Sequence, residues 1–159
     1  MAVARFYHLT RDPPEALLPV LIGKALEIGL RVVLRGANPE RITALDQHLW
    51  MGDGFLPHGI RGGAQDADQP VLLVPDATPL ADLPGPAAGC LVTLDGAGVS
   101  TPEAQAVDRL CVVFDGTDET AVAAARQQWR DLTGAGVQAE YWSRDSGRWE
   151  CKARHPKVD

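Results

Sequence analysis

The sequence predicts an α/β protein, a three-layer, Rossmann-like sandwich whose mostly parallel sheet carries helices on both faces. Short apolar runs alternate along the chain with longer amphipathic segments, and strands separated by helices favour parallel pairing. The 159 residues are enough for one domain with its own core. We expect that domain to span residues 1–153, with 154–159 as a frayed tail.

The first half of the chain predicts three strands and two helices. Apolar runs bounded by turn residues predict strands over residues 3–9, 30–36 and 69–75. We expect Asp12 to cap the first helix, which ends at Gly29, and Asn38 to cap the second, which runs to Trp50.

The second half predicts four strands and the longest helix. The strands are expected over residues 90–96, 109–116, 137–143 and 148–153, the last two forming an antiparallel hairpin on one edge of the sheet. The long helix lies between Asp118 and Gly134. Residues 75–89 are rich in Pro, Gly and Ala without periodicity, which predicts a mobile surface loop.

Composition excludes several classes of protein. No apolar run approaches the roughly 20 residues of a membrane helix, and the N-terminal residues do not resemble an export signal, so we expect a cytoplasmic protein that does not contact membranes. Three widely spaced cysteines are expected as reduced core thiols. The formal net charge of −6 argues against a surface that wraps nucleic acid as a whole, although a local basic patch remains compatible with it.

The fold class invites a nucleotide-binding hypothesis, but its motifs are missing. The first strand-to-helix turn, "HLTRDPPEA", contains no glycine, whereas dinucleotide sites and P-loops need glycines to approach phosphates closely. Asp95 and Asp115 end strands where α/β enzymes often place acids, although Asp-Gly turns explain them more simply. We therefore expect no cofactor, with a small nucleotide-dependent enzyme as an alternative.

The stretch "QHLWMGDGFLPHGI" at 47–60 gathers histidines, an aspartate and two aromatic residues. The spacing of His48, Asp53 and His58 matches no helical metal-binding pair, so we expect His48 on an exposed helix face and His58 bonded to backbone. Trp50 and Phe55 are more informative. They can form a docking spot for another protein or pack into the protein's own core, and the residues leave both readings open.

Two further clusters can bind anions. Arg126, Trp129 and Arg130 share one helix face, where arginines can pair with carboxylates beside an apolar ring; the alternative places Trp129 in the core with solvated arginines. Trp142, Trp149 and the C-terminal arginines can instead bind single-stranded DNA directly, by stacking and phosphate contacts.

The pattern as a whole resembles a known family. The segments "ARFYHL", "LLPVLIGKALEIGLRVVL", "ALDQHLW" followed by "FLPHGI", "VVFDG" and "AAARQQWRDLTGAGVQAEYW" are similar to the chi subunit of bacterial DNA polymerase III holoenzyme. The likeness covers most of the chain in the same order. Its most specific part is "LDxxLW" followed closely by "FLPHG".

The resemblance implies a non-catalytic subunit of the clamp-loader assembly, which acts in DNA replication at the nucleoid and touches nucleic acid only indirectly. It implies two kinds of partner. The acidic C-terminal tail of single-stranded DNA-binding protein is assigned to Arg126, Trp129 and Arg130. The psi subunit, or a repair helicase that competes with it, is assigned to Trp50, Phe55, Pro57 and His58.

The chain departs from the family pattern around the tail site. Val122 stands where some relatives carry a lysine, and Asp131 directly follows the basic pair. This predicts a thinner basic patch, unless the fold brings other cations near it: Arg109, Arg144, Arg148 and Lys152.

Overall fold

The structure is a computed structural model, in which residues 3–10, 12–51 and 57–156 are described. Its strands are β1 (Val3–Leu9), β2 (Val32–Gly36), β3 (Gly59–Ile60), β4 (Val71–Val74), β5 (Cys90–Leu94), β6 (Arg109–Asp115), β7 (Gln138–Ser143) and β8 (Glu150–His155). Its α-helices are α1 (Pro14–Glu27), α2 (Pro39–Met51), α3 (Thr101–Ala106) and α4 (Glu119–Gly134).

All eight strands form one sheet, in the order β3-β4-β2-β5-β6-β1-β7-β8. Neighbouring strands pair in parallel, except that β8 runs antiparallel to β7 on the edge. Every residue of β2, β4 and β5 is buried, as expected for parallel strands covered on both faces. The three-layer, mostly parallel sandwich and its edge hairpin are therefore confirmed.

The helices divide the core into two apolar layers. One layer packs under α1 and α2, on what we call the α1 face of the sheet. The other packs under α3 and α4, on the α4 face. Cys90 and Cys111 are buried as expected, whereas Cys151 is partly exposed, and all three thiols are free.

One of the two expected helix caps is confirmed, and a third cap is present at Asp118, the residue at which the long helix was expected to begin. The Asn38 side chain accepts hydrogen bonds from the backbone at the start of α2, and Asp118 does the same for α4. The prediction for Asp12 is wrong, because α1 starts one residue later than a cap at Asp12 requires and Pro13 occupies the N-cap position. The Asp12 carboxylate instead accepts a hydrogen bond from Arg144 at 2.9 Å.

Helix α3 and the short strand β3 were not predicted. The start of α3 is a capping box in which Ser100 and Glu103 bond each other's backbone N–H at 3.2 and 3.1 Å. The sequence "STPE" carries that signal, but the helix has only six residues and shows no clear periodicity. Strand β3, with two residues, is too short to produce an alternating pattern.

The loop over residues 75–89 is anchored at several points, rather than lying loosely on the surface as expected. Arg31 donates to the carbonyl of Pro86 at 2.6 Å, and Arg35 donates to that of Thr78 at 3.0 Å. Leu80 and Leu83 in the same loop pack against the core of the α4 face. Composition did not reveal these anchors because they come from arginines elsewhere in the chain.

A buried ion pair connects this loop to the sheet. Arg35, only 3% exposed, lies 2.6 Å from the carboxylate of Glu103. Burial raises the pKa of Glu103, but hydrogen bonds from Arg35 and from the backbone of Leu80 and Ser100 outweigh it and lower the pKa to about 2. The pair therefore ties β2, α3 and the loop together.

Strand β8 continues to His155, two residues past residue 153, where the domain was expected to end. The domain bounds themselves stay a prediction. In the described part of the chain, no helix is long and apolar enough to cross a membrane.

Candidate protein-binding surfaces

The exposed side of α4 presents two arginines beside a half-buried tryptophan. Arg126 and Arg130 are exposed. The Trp129 ring meets Phe6 edge-on, with ring centroids 5.3 Å apart, and lies 6.3 Å from the ring of Tyr141. Trp129 therefore closes the edge of the core on the α4 face and leaves part of its ring at the surface. The arrangement combines the two sequence-based alternatives: the Trp129 ring packs against the core, and exposed arginines lie on the same helix face.

His8 and Tyr141, which sequence reasoning missed, extend this surface onto the sheet. They lie on adjacent parallel strands, and His8 Nδ1 is hydrogen-bonded to the Tyr141 hydroxyl. The His8 ring also packs against Gly116, where any Cβ atom would collide with it. We call Arg126, Trp129, Arg130, His8 and Tyr141 the α4 surface.

Electrostatics connect Arg126 with both of these sheet residues. Burial lowers the pKa of His8, and the nearby Arg126 lowers it further, while Asp145 and Asp115 oppose the shift. Burial raises the pKa of Tyr141, and Arg126 works against that increase. His8 and Tyr141 are 133 residues apart in the chain, so no local motif could have indicated their pairing.

The residues that depart from the family pattern add no positive charge to the α4 surface. Val122 packs against the core of the α4 face. The possible compensation by other cations does not occur, because Arg109, Arg144 and Arg148 line a cavity beside α1 on the opposite face. Asp131 accepts a hydrogen bond from Gln127 at 2.9 Å.

Asp131 also lies over a different part of the sheet from Arg126. It lines a small cavity of about 270 Å³ above β5 and β6, whereas Arg126 acts on side chains of β1 and β7. The remaining candidate, Lys152, is exposed and pairs with Asp145 and Glu150. The α4 surface thus takes its positive charge from Arg126 and Arg130.

The end of α2 presents a second apolar surface. Trp50 is 52% exposed and Met51 is 85% exposed. The Trp50 ring lies over the His58 ring, with centroids 4.1 Å apart and planes tilted by 33°. Trp50 is therefore not a core residue, and the reading that packs it inside the protein is wrong.

His58 supports Trp50 from below. It is 2% exposed, and its Nε2 lies 3.1 Å from the backbone carbonyl of Asp46, which confirms the expected bond to backbone. His48 is exposed on α2, also as expected. Pro57 is partly buried, and Phe55 falls outside the described residues. We call Trp50, Met51, Pro57 and His58 the α2 surface.

The carboxyl edge of the sheet, where open α/β sheets usually bind ligands, forms a crevice of about 710 Å³. Among the described residues its charged lining is acidic, with one cation: Asp12, Glu15, Asp95, Asp115, Asp118 and Arg41. Burial raises the pKa of Asp95. Asp115 accepts hydrogen bonds from the Thr117 backbone and hydroxyl, which hold the turn and lower its pKa. Phosphates would be repelled here.

Within residues 3–10, 12–51 and 57–156, no group of three His, Cys, Asp or Glu side chains is arranged to hold a metal ion. Asp53, one of the residues considered from the sequence, lies outside these ranges.

Comparison with known proteins identifies the family. The model of the DNA polymerase III chi subunit, HolC, matches residues 1–140. The chain belongs to this family. Membership confirms the resemblance seen in the sequence and gives the chain an accessory role in replication by DNA polymerase III. No curated protein matches the chain. Residues 141–159, which include most of the β7–β8 hairpin, lie beyond the family match.

Proposed function

We propose that the chain is a non-catalytic adaptor of the DNA polymerase III clamp-loader assembly. In this proposal it holds the acidic C-terminal tail of single-stranded DNA-binding protein on the α4 surface. It contacts the psi subunit, or a repair helicase, through the α2 surface, and so acts at the replisome close to the nucleoid. The acidic crevice at the carboxyl edge supports this reading over a nucleotide-dependent enzyme, because its carboxylates disfavour phosphates.

The observation that carries the tail site is the placement of Arg126 beside two partly buried rings, Trp129 and Tyr141. An acidic tail that ends in an aromatic residue and a free carboxylate needs a cation for the carboxylate and an apolar edge for the ring. The α4 surface offers both within one helix face and the neighbouring strand. Arg130, one turn along the helix from Arg126, can meet a second carboxylate.

The observation that supports the second surface is the exposure of Trp50 and Met51 side by side. Large exposed aromatic and methionine side chains are enriched at protein interfaces, where aromatic anchors carry much of the binding energy. His58 fixes the Trp50 ring from below, so the ring does not need to be ordered when a partner binds.

The tail site is tested with a labelled peptide that carries the acidic tail. We expect the peptide to bind the intact chain with an affinity that falls as salt increases. Arg126→Glu should weaken binding at least about tenfold, because it removes a charge-assisted bond and adds repulsion. Arg61→Glu is the matched control, since Arg61 is also exposed and arginine-to-glutamate changes the net charge equally, but Arg61 pairs with Asp76 at the far side of the sheet.

Equal peptide affinity in wild type and Arg126→Glu would place the tail elsewhere. Equal weakening by Arg126→Glu and Arg61→Glu would indicate a response to net charge and not to a defined site. Either result would contradict the proposed α4 site.

A further inference from the structure

A second basic region lies on the α1 face, in a groove between α1 and the β7–β8 hairpin. The groove has a volume of about 700 Å³, within the range of roughly 300–1,000 Å³ that is usual for ligand sites. Strands β1, β6 and β7 form its floor, α1 one wall, and the turn after β7 the other. We call it the hairpin groove.

The fold explains why this part of the sheet is open. α1 packs over β2 and β6, and α2 packs over β2, β3 and β4. Among the described residues, no helix is centred over β1 and β7 on this face. The turn between β7 and β8 borders this part of the sheet on one side without covering it. A groove therefore remains above the strands.

In the part of the chain that the structure describes, the charged lining of the hairpin groove is strongly positive, with five cationic side chains and one carboxylate: Arg5, Lys24, Arg109, Arg144, Arg148 and Asp12. Arg5 is paired with Glu140 at 3.2 Å, and Arg144 with Asp12 at 2.9 Å. Within the described parts of the chain, the side chains of Lys24, Arg109 and Arg148 have no hydrogen-bond or ion-pair partner. Three cations are thus available to a ligand.

Three aromatic side chains lie between these cations. The rings of Tyr7 and Trp149 meet edge-on at 5.5 Å. Trp142 Nε1 donates to the same Glu140 oxygen that pairs with Arg5, at 3.2 Å in each case. Glu140 therefore holds one ring and one cation in a fixed relation, and little ordering is needed when a ligand binds.

From this combination we propose that the hairpin groove binds single-stranded nucleic acid. Unpaired cations meet the phosphates, and the rings of Trp142 and Trp149 offer faces or edges to the bases, as in other proteins that bind single strands. An acidic peptide would use the cations but has no regular supply of flat rings for the aromatic floor. The groove lies across the sheet from the α4 surface, so the two sites are independent.

The net charge of −6 does not oppose this site. Charges farther away than about 10 Å are largely screened at 0.1 M salt. Asp12, which also lines the acidic crevice, is paired with Arg144. Trp142, Arg144, Arg148 and Trp149 all lie beyond the residues that match the family model. The C-terminal segment therefore contributes two of the three aromatic rings and two of the five cations of the groove.

The test is a fluorescence-anisotropy titration of the full chain with labelled oligo(dT) of about 12 nucleotides, at low salt and at increasing salt. If all three available cations meet phosphates, the logarithm of the affinity should fall with the logarithm of salt with a slope of about −2. Lys24→Glu and Arg148→Glu should each weaken binding about tenfold and flatten this slope. Both side chains are exposed, so these variants should fold normally, which thermal unfolding can verify.

Arg61→Glu serves as the matched control, because it makes the same charge change at an exposed arginine beside β3, at the opposite end of the sheet from β7 and β8. It should leave oligo(dT) binding unchanged. The proposal is overturned if oligo(dT) does not bind at low salt, or if Arg148→Glu binds it as well as wild type does. It is also overturned if an acidic peptide, or thymidine monophosphate alone, binds in an Arg148-dependent way as tightly as oligo(dT).

Discussion

Trp50 and Trp129 lie on two helices of similar length, yet the fold uses them differently. Trp129 lies where α4 crosses β6 and β7, so its ring reaches the sheet and packs edge-on against Phe6. Trp50 lies in the last turn of α2, which packs near the β3–β4 edge, and its ring is left 52% exposed on His58. The position of a helix relative to the sheet therefore decides whether its tryptophan stabilises the fold or is available to a partner.

The largest expected effect is on the stability contributed by Trp129. Trp129→Ala should lower the free energy of unfolding by about 3 kcal/mol, because it removes the ring that closes the α4-face core. Urea denaturation monitored by circular dichroism measures the change. Trp129→Phe, which keeps an aromatic ring, should cost less than half as much. If Trp129→Ala lowers the free energy of unfolding by less than about 1 kcal/mol, Trp129 does not stabilise the fold more than Trp50 does.

A somewhat smaller loss of stability is expected from acid. Protonation of Glu103 in α3 should weaken its ion pair with Arg35 in β2. The pKa of Glu103 is about 2 in the folded protein and near 4.3 when unfolded. The ionised Glu103 carboxylate therefore stabilises the folded protein fully at pH values above its pKa in the unfolded chain. This stabilisation is lost as the pH falls towards 2. We expect a loss of about 2 kcal/mol, less than the full shift implies because the carboxyl is partly solvated.

Urea denaturation across pH 2 to 6 checks this expectation. The Glu103→Gln variant should be less stable than wild type at pH 6 and should lack this part of the acid-dependent loss. Identical pH profiles in both proteins would show that the pair with Arg35 does not control acid stability.

For Trp50 the effect on stability should be small and the effect on binding large. Trp50→Ala should lower the free energy of unfolding by less than about 1 kcal/mol, since the ring is half solvated. Binding to purified psi subunit should weaken at least about tenfold if this ring is an interface anchor. Calorimetric titration measures the affinity, and Val20→Ala provides a control at another exposed apolar side chain. Unfolding of Trp50→Ala, or unchanged affinity, would contradict the proposed role.

The smallest expected effect concerns His8 on the α4 surface. Because burial and Arg126 lower its pKa, His8 gains a proton in the folded protein at a lower pH than an ordinary histidine does. The added cation should strengthen binding of the acidic tail by about twofold to fivefold as the pH falls below the ordinary histidine pKa of about 6.5. Stability should decline over the same window, because the unfolded chain binds the proton more readily.

Peptide titrations at pH 5, 6 and 7 measure the contribution of His8. His8→Gln should remove the pH-dependent increase in tail affinity. An increase of the same size in this variant would assign the pH response to the peptide's own carboxylates.

The order of the main elements was predictable because local patterns carry it. The buried strands are continuous apolar runs, and Asn38 and Asp118 mark helix starts through bonds to residues two or three positions away. Helix α3 was missed although its capping box was visible, since six residues produce no clear period. The anchors of the 75–89 loop were missed because Arg35 and Thr78 are 43 residues apart.

The candidate sites were only partly predictable for the same reason. Arg126, Trp129 and Arg130 form a face by helical spacing alone, but His8 and Tyr141 join them through strand pairing. The sequence likewise suggested Trp142 and Trp149 with nearby arginines. Lys24, Arg5 and Arg109 come to the same groove from α1, β1 and β6.

The sequence by itself determined the fold class, the family, most helix boundaries and the pair of arginines on α4, because each depends on neighbours within a few residues. Only the tertiary structure decided that Trp50 is exposed while Trp129 closes the core, and that four other arginines gather on the opposite face: Arg5, Arg109, Arg144 and Arg148. The physical reason is the sheet order. Pairing of β1 with both β6 and β7 brings together side chains more than 100 residues apart, and no local pattern records which strands will be neighbours.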